Sequence, residues 1–495
     1  MLSVVRCLFV ALSLSALSPA TALADWRRAE SPHFIVYSDG SEQTLRDYTA
    51  KLERFDSLLR FRFGGVQDDD IRKLPVYLVS DDRSLRIAQP ALPEGFDGYY
   101  STSDNDIFAI LVRGRDDDIL LHEYSHHFMA KNSNGQYPGW LSEGFAEYFA
   151  TATVSAGGSA SFGLPNPGRQ YSLERNRWLP METLLRAKGS FDIEGQTAIG
   201  MYYAQSWALT HWLLADTERA RAVAAYVAAV NGGQDPVEAW QATFGMTPDE
   251  LSNRLRSYLN GRMTYSKVDI PTVRPVITVT RLSPAADAVL LRSINARAPN
   301  PEDVDGPALL QTLRTAAAQF PDDPLALVAL GRAERQWGDD AAAETALVRA
   351  LEGQADNVEG LLLMADILEE RGDLASDEAE GVRQRRQAQG YLRRAFEADP
   401  TDYRVYAALA RIRRTAPDYP NANDLQTWIL AIKYAPQVMS IRGDAAIALM
   451  ETGHYSDAVT LLTPIVNNPH GGSSVEWGRR LLEEISERRG AAGTE

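Results

Sequence analysis

Beyond about residue 300 the sequence repeats itself at a spacing of 34 residues. Pro324 aligns with Val358, Leu327 with Leu361, and Gly338-Asp339 with Gly372-Asp373. Related units recur around "ADPTDYRVYAALARI" and "APQVMSIRGDAAIALMETGHYSDAVTLL", after an insertion rich in Arg, Asp and Glu. Self-similarity at such a period predicts stacked pairs of helices, because no unit can bury its apolar face alone. The competing reading is a plain bundle of amphipathic helices.

The period of 34, small residues at helix crossings, a turn glycine between helices and Asp-Pro between units resemble tetratricopeptide repeats. The resemblance implies an all-α solenoid over residues 301–490. It also implies a curved surface suited to a peptide or a partner protein.

The first half reads differently. "HFIVYS" at residues 33–38 and "LPVYLVS" at 74–80 read as strands, and "GYYSTSDNDIFAILV" at 98–112 reads as two strands joined by a polar turn. Between them Leu45, Tyr48, Leu52, Phe55, Leu58 and Leu59 recur at helical spacing. From Asp116 to Gly261 almost everything reads helical. This order predicts an α+β domain over 25–265, with a sheet in front and helices behind. Val268 to Ala286 holds three prolines and no helical period, which predicts a linker between the domains over 266–300.

Residues 1–24 carry one early cation, Arg6, an apolar stretch from about Cys7 to Leu17, and a closing Ala22-Leu23-Ala24. That is the layout of a cleavable secretory signal, too short in its apolar run to span a bilayer. The expected mature chain is exported, into a bacterial periplasm, and keeps no stable membrane anchor. Cys7 is the single cysteine, so no disulfide and no thiolate ligand is expected after cleavage. A net charge of -16 argues against nucleic acid as a partner.

Chemistry concentrates in "ILLHEYSHHFMAKNSNGQYPGWLSEGFAEYFA". His122 and His126 stand four residues apart on a predicted helix, so they share a face and can share a metal ion. Glu123 follows the first histidine directly, so its carboxylate can face a metal-bound water instead of the metal, which is the H-E-x-x-H pattern. Two imidazoles leave zinc short of a third protein ligand. Glu143 and Glu147, also four apart, share the polar face of a second predicted helix. One can ligate zinc while the other hydrogen-bonds the far nitrogen of a ligating histidine. The alternative is two solvated helical faces with no metal.

H-E-x-x-H followed by Trp-Leu-x-Glu-Gly-x-Ala-Glu resembles the gluzincin zinc metallopeptidases, and most of all the peptidase MA-like proteins with C-terminal helical repeats. The resemblance implies a zincin-like catalytic domain with Zn2+ on His122, His126 and Glu143, Glu123 as general base and Glu147 supporting a histidine. It further implies a peptide or protein substrate. "MYYAQSWALTHWLL" resembles the helix start where gluzincin aminopeptidases hold an oxyanion-stabilising tyrosine, which implies Tyr203, with Tyr202 next. The Gly-x-Met-Glu-Asn stretch by which those aminopeptidases read a free N-terminus has no counterpart, and "IFAILV" is expected to line an extended substrate instead. His127 and His211 are expected to be structural. The other function class open to the sequence is a catalytically silent zincin-like domain in a repeat-based interaction scaffold.

Overall fold

The computed structural model describes residues 25–64, 71–92, 97–114, 117–132, 137–297, 304–466 and 473–492. The expected signal at 1–24 lies outside them. The chain begins with β1 (Arg27–Glu30), β2 (Phe34–Ser38), α1 (Glu42–Phe63), β3 (Leu74–Val79), α2 (Asp82–Ala88), β4 (Gly98–Thr102) and β5 (Ile107–Val112). With a later strand, β9 (Thr278–Arg281), these build a sheet in the order β4-β5-β3-β2-β1-β9. The pairs β2–β3 and β3–β5 are parallel, whereas β4 runs antiparallel to β5 as a hairpin and forms one edge.

Both faces of the sheet are covered, which is why "IFAILV" is apolar throughout instead of alternating. Phe34, Val36, Val76, Leu78, Ala109 and Leu111 pack in a core with Leu45, Leu52, Phe55 and Leu59 of α1. Tyr77, Val79, Phe108 and Ile110 face the other way, onto Leu85 and Ala88 of α2. The helical spacing in the sequence thus located the stripe of α1 that the sheet buries.

Next come α3 (Asp117–Lys131), α4 (Gly139–Ala150), β6 (Thr153–Val154), β7 (Ser159–Phe162), α5 (Pro167–Arg175), α6 (Met181–Arg186), α7 (Gln196–Leu214), α8 (Thr217–Asn231), α9 (Pro236–Phe244) and α10 (Pro248–Leu259). The hairpin β6–β7 interrupts the run that the sequence reads as helical. It turns at Gly158, whose φ of 90° suits glycine.

The segment expected to be a linker, 266–300, is structured where it is described. It carries β8 (Ser266–Asp269), β9 and α11 (Ala285–Asn295). β8 pairs with β7, and β9 pairs with β1 as the far edge of the large sheet. Val289, Leu290 and Leu291 of α11 are buried, and Leu290 and Leu291 join Tyr77 and Phe108 on the sheet's second face. Pro271 and Pro275 fall between the strands and Pro284 at the N-cap of α11, so none of them removes a ladder hydrogen bond.

The rest is helical: α12 (Gly306–Gln319), α13 (Pro324–Trp337), α14 (Asp340–Gly353), α15 (Val358–Asp373), α16 (Glu378–Ala398), α17 (Tyr403–Arg413), α18 (Ala422–Tyr434), α19 (Met439–Glu451), α20 (Tyr455–Val466) and α21 (Ser473–Ala492). The helices from α12 to α18 start on Asp305, Asp323, Asp339, Asn357, Asp377, Asp402 and Asn421. Each of these side chains accepts a backbone N–H of the first turn. The spacing of 34 read from the sequence is the distance from the Asp323 cap to the Asn357 cap.

The two halves share a core. Tyr403, Tyr406, Trp428, Val438, Ile441 and Ala445 belong to the same buried cluster as α1, α3 and the sheet. The β4–β5 turn grips the helices: Tyr403 O–H donates to Ser103 O at 2.6 Å and Arg404 Nη1 to Asn105 O at 3.0 Å. Below the turn, Asp106 is paired with Arg72 at 2.5 Å and Arg297 at 3.2 Å, and Arg297 also meets Glu359 of α15 at 3.4 Å.

Candidate metal centre

Helices α3 and α4 carry the two glutamate and histidine pairs and pack against each other, with α7 also packed on α4. Gly144 permits this approach of α7. A methyl group there would overlap the Ser206 carbonyl and the Thr210 hydroxyl. The small residue between Glu143 and Glu147 therefore sets how deeply both carboxylates sit.

At the crossing, three side-chain atoms converge. His122 Nε2 and His126 Nε2 are 3.1 Å apart, and each lies 3.4 Å from Glu143 Oε2. The two rings stand edge to face at 78°. Glu143 Oε2 is buried and accepts no hydrogen bond. A buried carboxylate oxygen without a donor is costly, and the three atoms together have the donor chemistry to hold one metal ion.

The outer nitrogens of both imidazoles are engaged. His122 Nδ1 faces Glu147 Oε1 at 3.5 Å, and His126 Nδ1 faces Ser142 Oγ at 3.2 Å. Glu147 is almost fully buried and is clamped by Arg169, through Nη2 at 2.5 Å and Nε at 2.9 Å, with Asn166 Nδ2 at 3.2 Å. The sequence reading named Glu147 but not Arg169, Asn166 or Ser142. Asn166-Pro167 announces the cap of α5, yet nothing in the sequence places that helix against α4.

Charge follows this geometry. Burial by itself would lower the pKa of His122, but Glu143, Glu147 and Glu123 overcome it and raise the pKa to about 9. Burial pushes Glu143 the other way, and the two histidines override it and hold its carboxyl well below the usual range. Burial raises Glu123, the effect being reduced by His122 and His126. A carboxylate so shifted holds a proton more readily, as a general base near neutral pH requires.

Glu123 stands in a cleft of two arms. A cavity of about 510 Å³ and another of about 530 Å³ both touch Gly98, His122, Glu123 and Tyr203. The strand along this cleft is the edge strand β4, not "IFAILV" as the sequence suggested. The hairpin puts β5 between β4 and β3, so the unpaired backbone edge belongs to Gly98–Thr102.

Of the two candidate tyrosines, Tyr203 lines the cleft. Its O–H donates to Ser190 Oγ at 3.2 Å, and the Arg169 guanidinium lies over its ring at 5.1 Å. Tyr202 is fully buried beneath. His127 turns away from the three converging atoms, and its Nδ1 accepts from Tyr100 O–H at 2.9 Å. His211 is buried between Gly163 O at 3.0 Å and Tyr258 Oη at 2.7 Å.

Residues 120–237 match the family described as "Protein of unknown function (DUF1570)". The match takes in the three converging atoms, Glu123, Glu147, Arg169 and Tyr203. No curated protein matches the chain. Among solved structures, a thermophilic TPR protein of Thermus thermophilus is similar at 16% identity and a TM-score of 0.31, over 36% of this chain and 90% of that one.

Proposed function

We propose that this protein is a zinc-dependent metallopeptidase of gluzincin type. The observation that carries the reading is the triangle formed by His122 Nε2, His126 Nε2 and Glu143 Oε2, with edges of 3.1, 3.4 and 3.4 Å. A tetrahedral zinc ion bonded at about 2.0–2.1 Å separates its ligand atoms by about 3.3–3.4 Å. At 3.4 Å from either ring nitrogen, the buried Glu143 Oε2 receives no hydrogen bond and is left open to a cation. Held by these residues, Zn2+ would supply Lewis acidity, lowering the pKa of a water and polarising a carbonyl.

The chain's own residues supply the rest. An extended peptide would pair with the free edge of β4 and run through both arms of the cleft. Glu123 would take the proton of the attacking water and hand it to the departing nitrogen. Tyr203, at the junction of the arms, would donate its O–H to the tetrahedral oxyanion. Glu147, fixed by Arg169 and Asn166, would keep His122 in one tautomer and one orientation.

In this reading the helical half is a tetratricopeptide-like solenoid that contributes to binding a substrate or a partner protein. The mature chain would act after export and cleavage of residues 1–24. Among the described residues no helix is long and apolar enough to cross a membrane. The test is metal content together with hydrolysis of a quenched peptide library. One zinc per chain, cleavage abolished by a chelator and restored by zinc, is expected. A well-folded protein that takes up no zinc defeats the reading.

A further inference from the structure

The helical half enters the cleft. One of its two arms is lined by Pro436, Gln437, Met439 and Arg442, at the entry and first turn of α19, together with His126 and Glu143. Arg442 is only 4% exposed. Its Nε donates to Pro436 O at 2.5 Å, and among the described residues no carboxylate pairs with its guanidinium. By contrast the partly buried Arg297 and Arg404 both have an acidic partner in Glu359. Burial lowers the pKa of Arg442, with no neighbouring anion to offset it.

Beside it, Gln437 is 6% exposed and uses Nε2 to donate to Tyr100 Oη at 3.3 Å. Its Oε1 is buried without a donor. The cleft wall thus presents a buried planar cation with no acidic partner among the described residues and a buried carbonyl acceptor with no donor. A lone buried guanidinium is costly and becomes favourable when a planar anion engages its fork. An extended peptide offers such an anion as a carboxylate, and next to it a backbone N–H for the amide oxygen.

We propose that Arg442, assisted by Gln437, is a specificity site for a peptide carboxylate, either the chain's terminal group or an Asp or Glu side chain. The inference rests on the peptidase reading and names its substrate class. It also gives the helical half a definite role, because the anion-reading groups come from α19 and its entry while the metal ligands come from α3 and α4.

The experiment measures binding, so that it stands apart from turnover. Zinc-loaded full mature chain carrying Glu123→Gln would be titrated with three fluorescent pools of randomised short peptides. One ends in a free carboxylate and lacks acidic residues, one is the same pool amidated, and one is amidated with Glu or Asp at a fixed position. At least one carboxylate-bearing pool should bind about tenfold or more tighter than the neutral pool, the loss expected for a missing charge-assisted hydrogen bond. Which pool it is identifies the source of the carboxylate. Arg442→Met should bring the ratio toward one, and Arg442→Lys should leave an intermediate ratio. Equal binding of all pools, or a ratio unchanged in Arg442→Met, overturns the proposal. Cleavage of peptides by the parent chain decides the peptidase reading separately.

Discussion

His122 Nδ1 lies 3.5 Å from Oε1 of Glu147, a buried carboxylate one helix away that Arg169 holds in a two-pronged grip. The second helix therefore serves the histidine from both sides, through Glu143 at one ring nitrogen and Glu147 at the other. An imidazole held in this way has little freedom to turn from a metal ion, and that restraint is measurable.

Replacing Glu147 with Ala, or Arg169 with Met, should weaken zinc binding by about 10–100-fold while leaving the three donor atoms in place. Competition against a chromogenic chelator measures this. Unchanged affinity in both variants would show that the carboxylate has no hold on His122.

Glu123→Gln should retain one zinc per chain and lose about 10²–10⁴-fold in kcat, the usual contribution of a positioned acid–base group. Metal analysis and peptide hydrolysis on the same preparation give both numbers. Loss of zinc in this variant would make Glu123 a ligand and not a base.

Zinc uptake should release a proton at neutral pH. With its pKa raised to about 9, His122 is protonated in the metal-free protein at pH 7 and must lose that proton to ligate. Affinity should accordingly fall as the pH drops below about 9. Calorimetry in two buffers of different ionisation enthalpy detects the release, and a buffer-independent heat contradicts it.

Acid should destabilise the fold through His127 and His211. Burial holds both below the ordinary histidine pKa, and each hydrogen-bonds as a neutral ring. The unfolded chain binds the extra protons below pH about 6.5, so stability is lost as the pH falls from there. The expected slope is up to about 1.4 kcal/mol per pH unit for each group. His211→Gln, which keeps a donor for Gly163 O, should flatten the slope measured by denaturant titration between about pH 7 and 5.

Gly144→Ala should cost about 1–3 kcal/mol, because the methyl meets the backbone of α7 and the helices must part. As they part, Glu143 moves away from the histidines, so zinc affinity should drop in step with stability. A fully stable Gly144→Ala protein would show that the helix crossing is slack.

Sequence alone located β2 to β5, α1, the helical period of the second half and the two i, i+4 pairs, because these are local matters, though not β1 or the β6–β7 hairpin. Period, capping chemistry and the shared face of residues four apart depend on neighbours within one or two turns. It misread 266–300, since proline density marks a break in regular structure but does not say whether the strands on either side find partners. β9 exists because β1 offers it an edge. In the same way, the apolar run "IFAILV" could not reveal that it lies inside the sheet while the less apolar Gly98–Thr102 takes the edge.

What the tertiary structure decided is which distant groups meet. Arg169 and Asn166 reach Glu147, Ser142 reaches His126, and Arg442 arrives from far downstream in the chain to line the cleft. No local pattern encodes such pairings. They follow from how α4 seats on α7 and how Tyr403, Trp428 and Ile441 complete the core of the first half. The sequence determined the chemistry the chain carries. The burial of apolar faces between remote elements determined where that chemistry points.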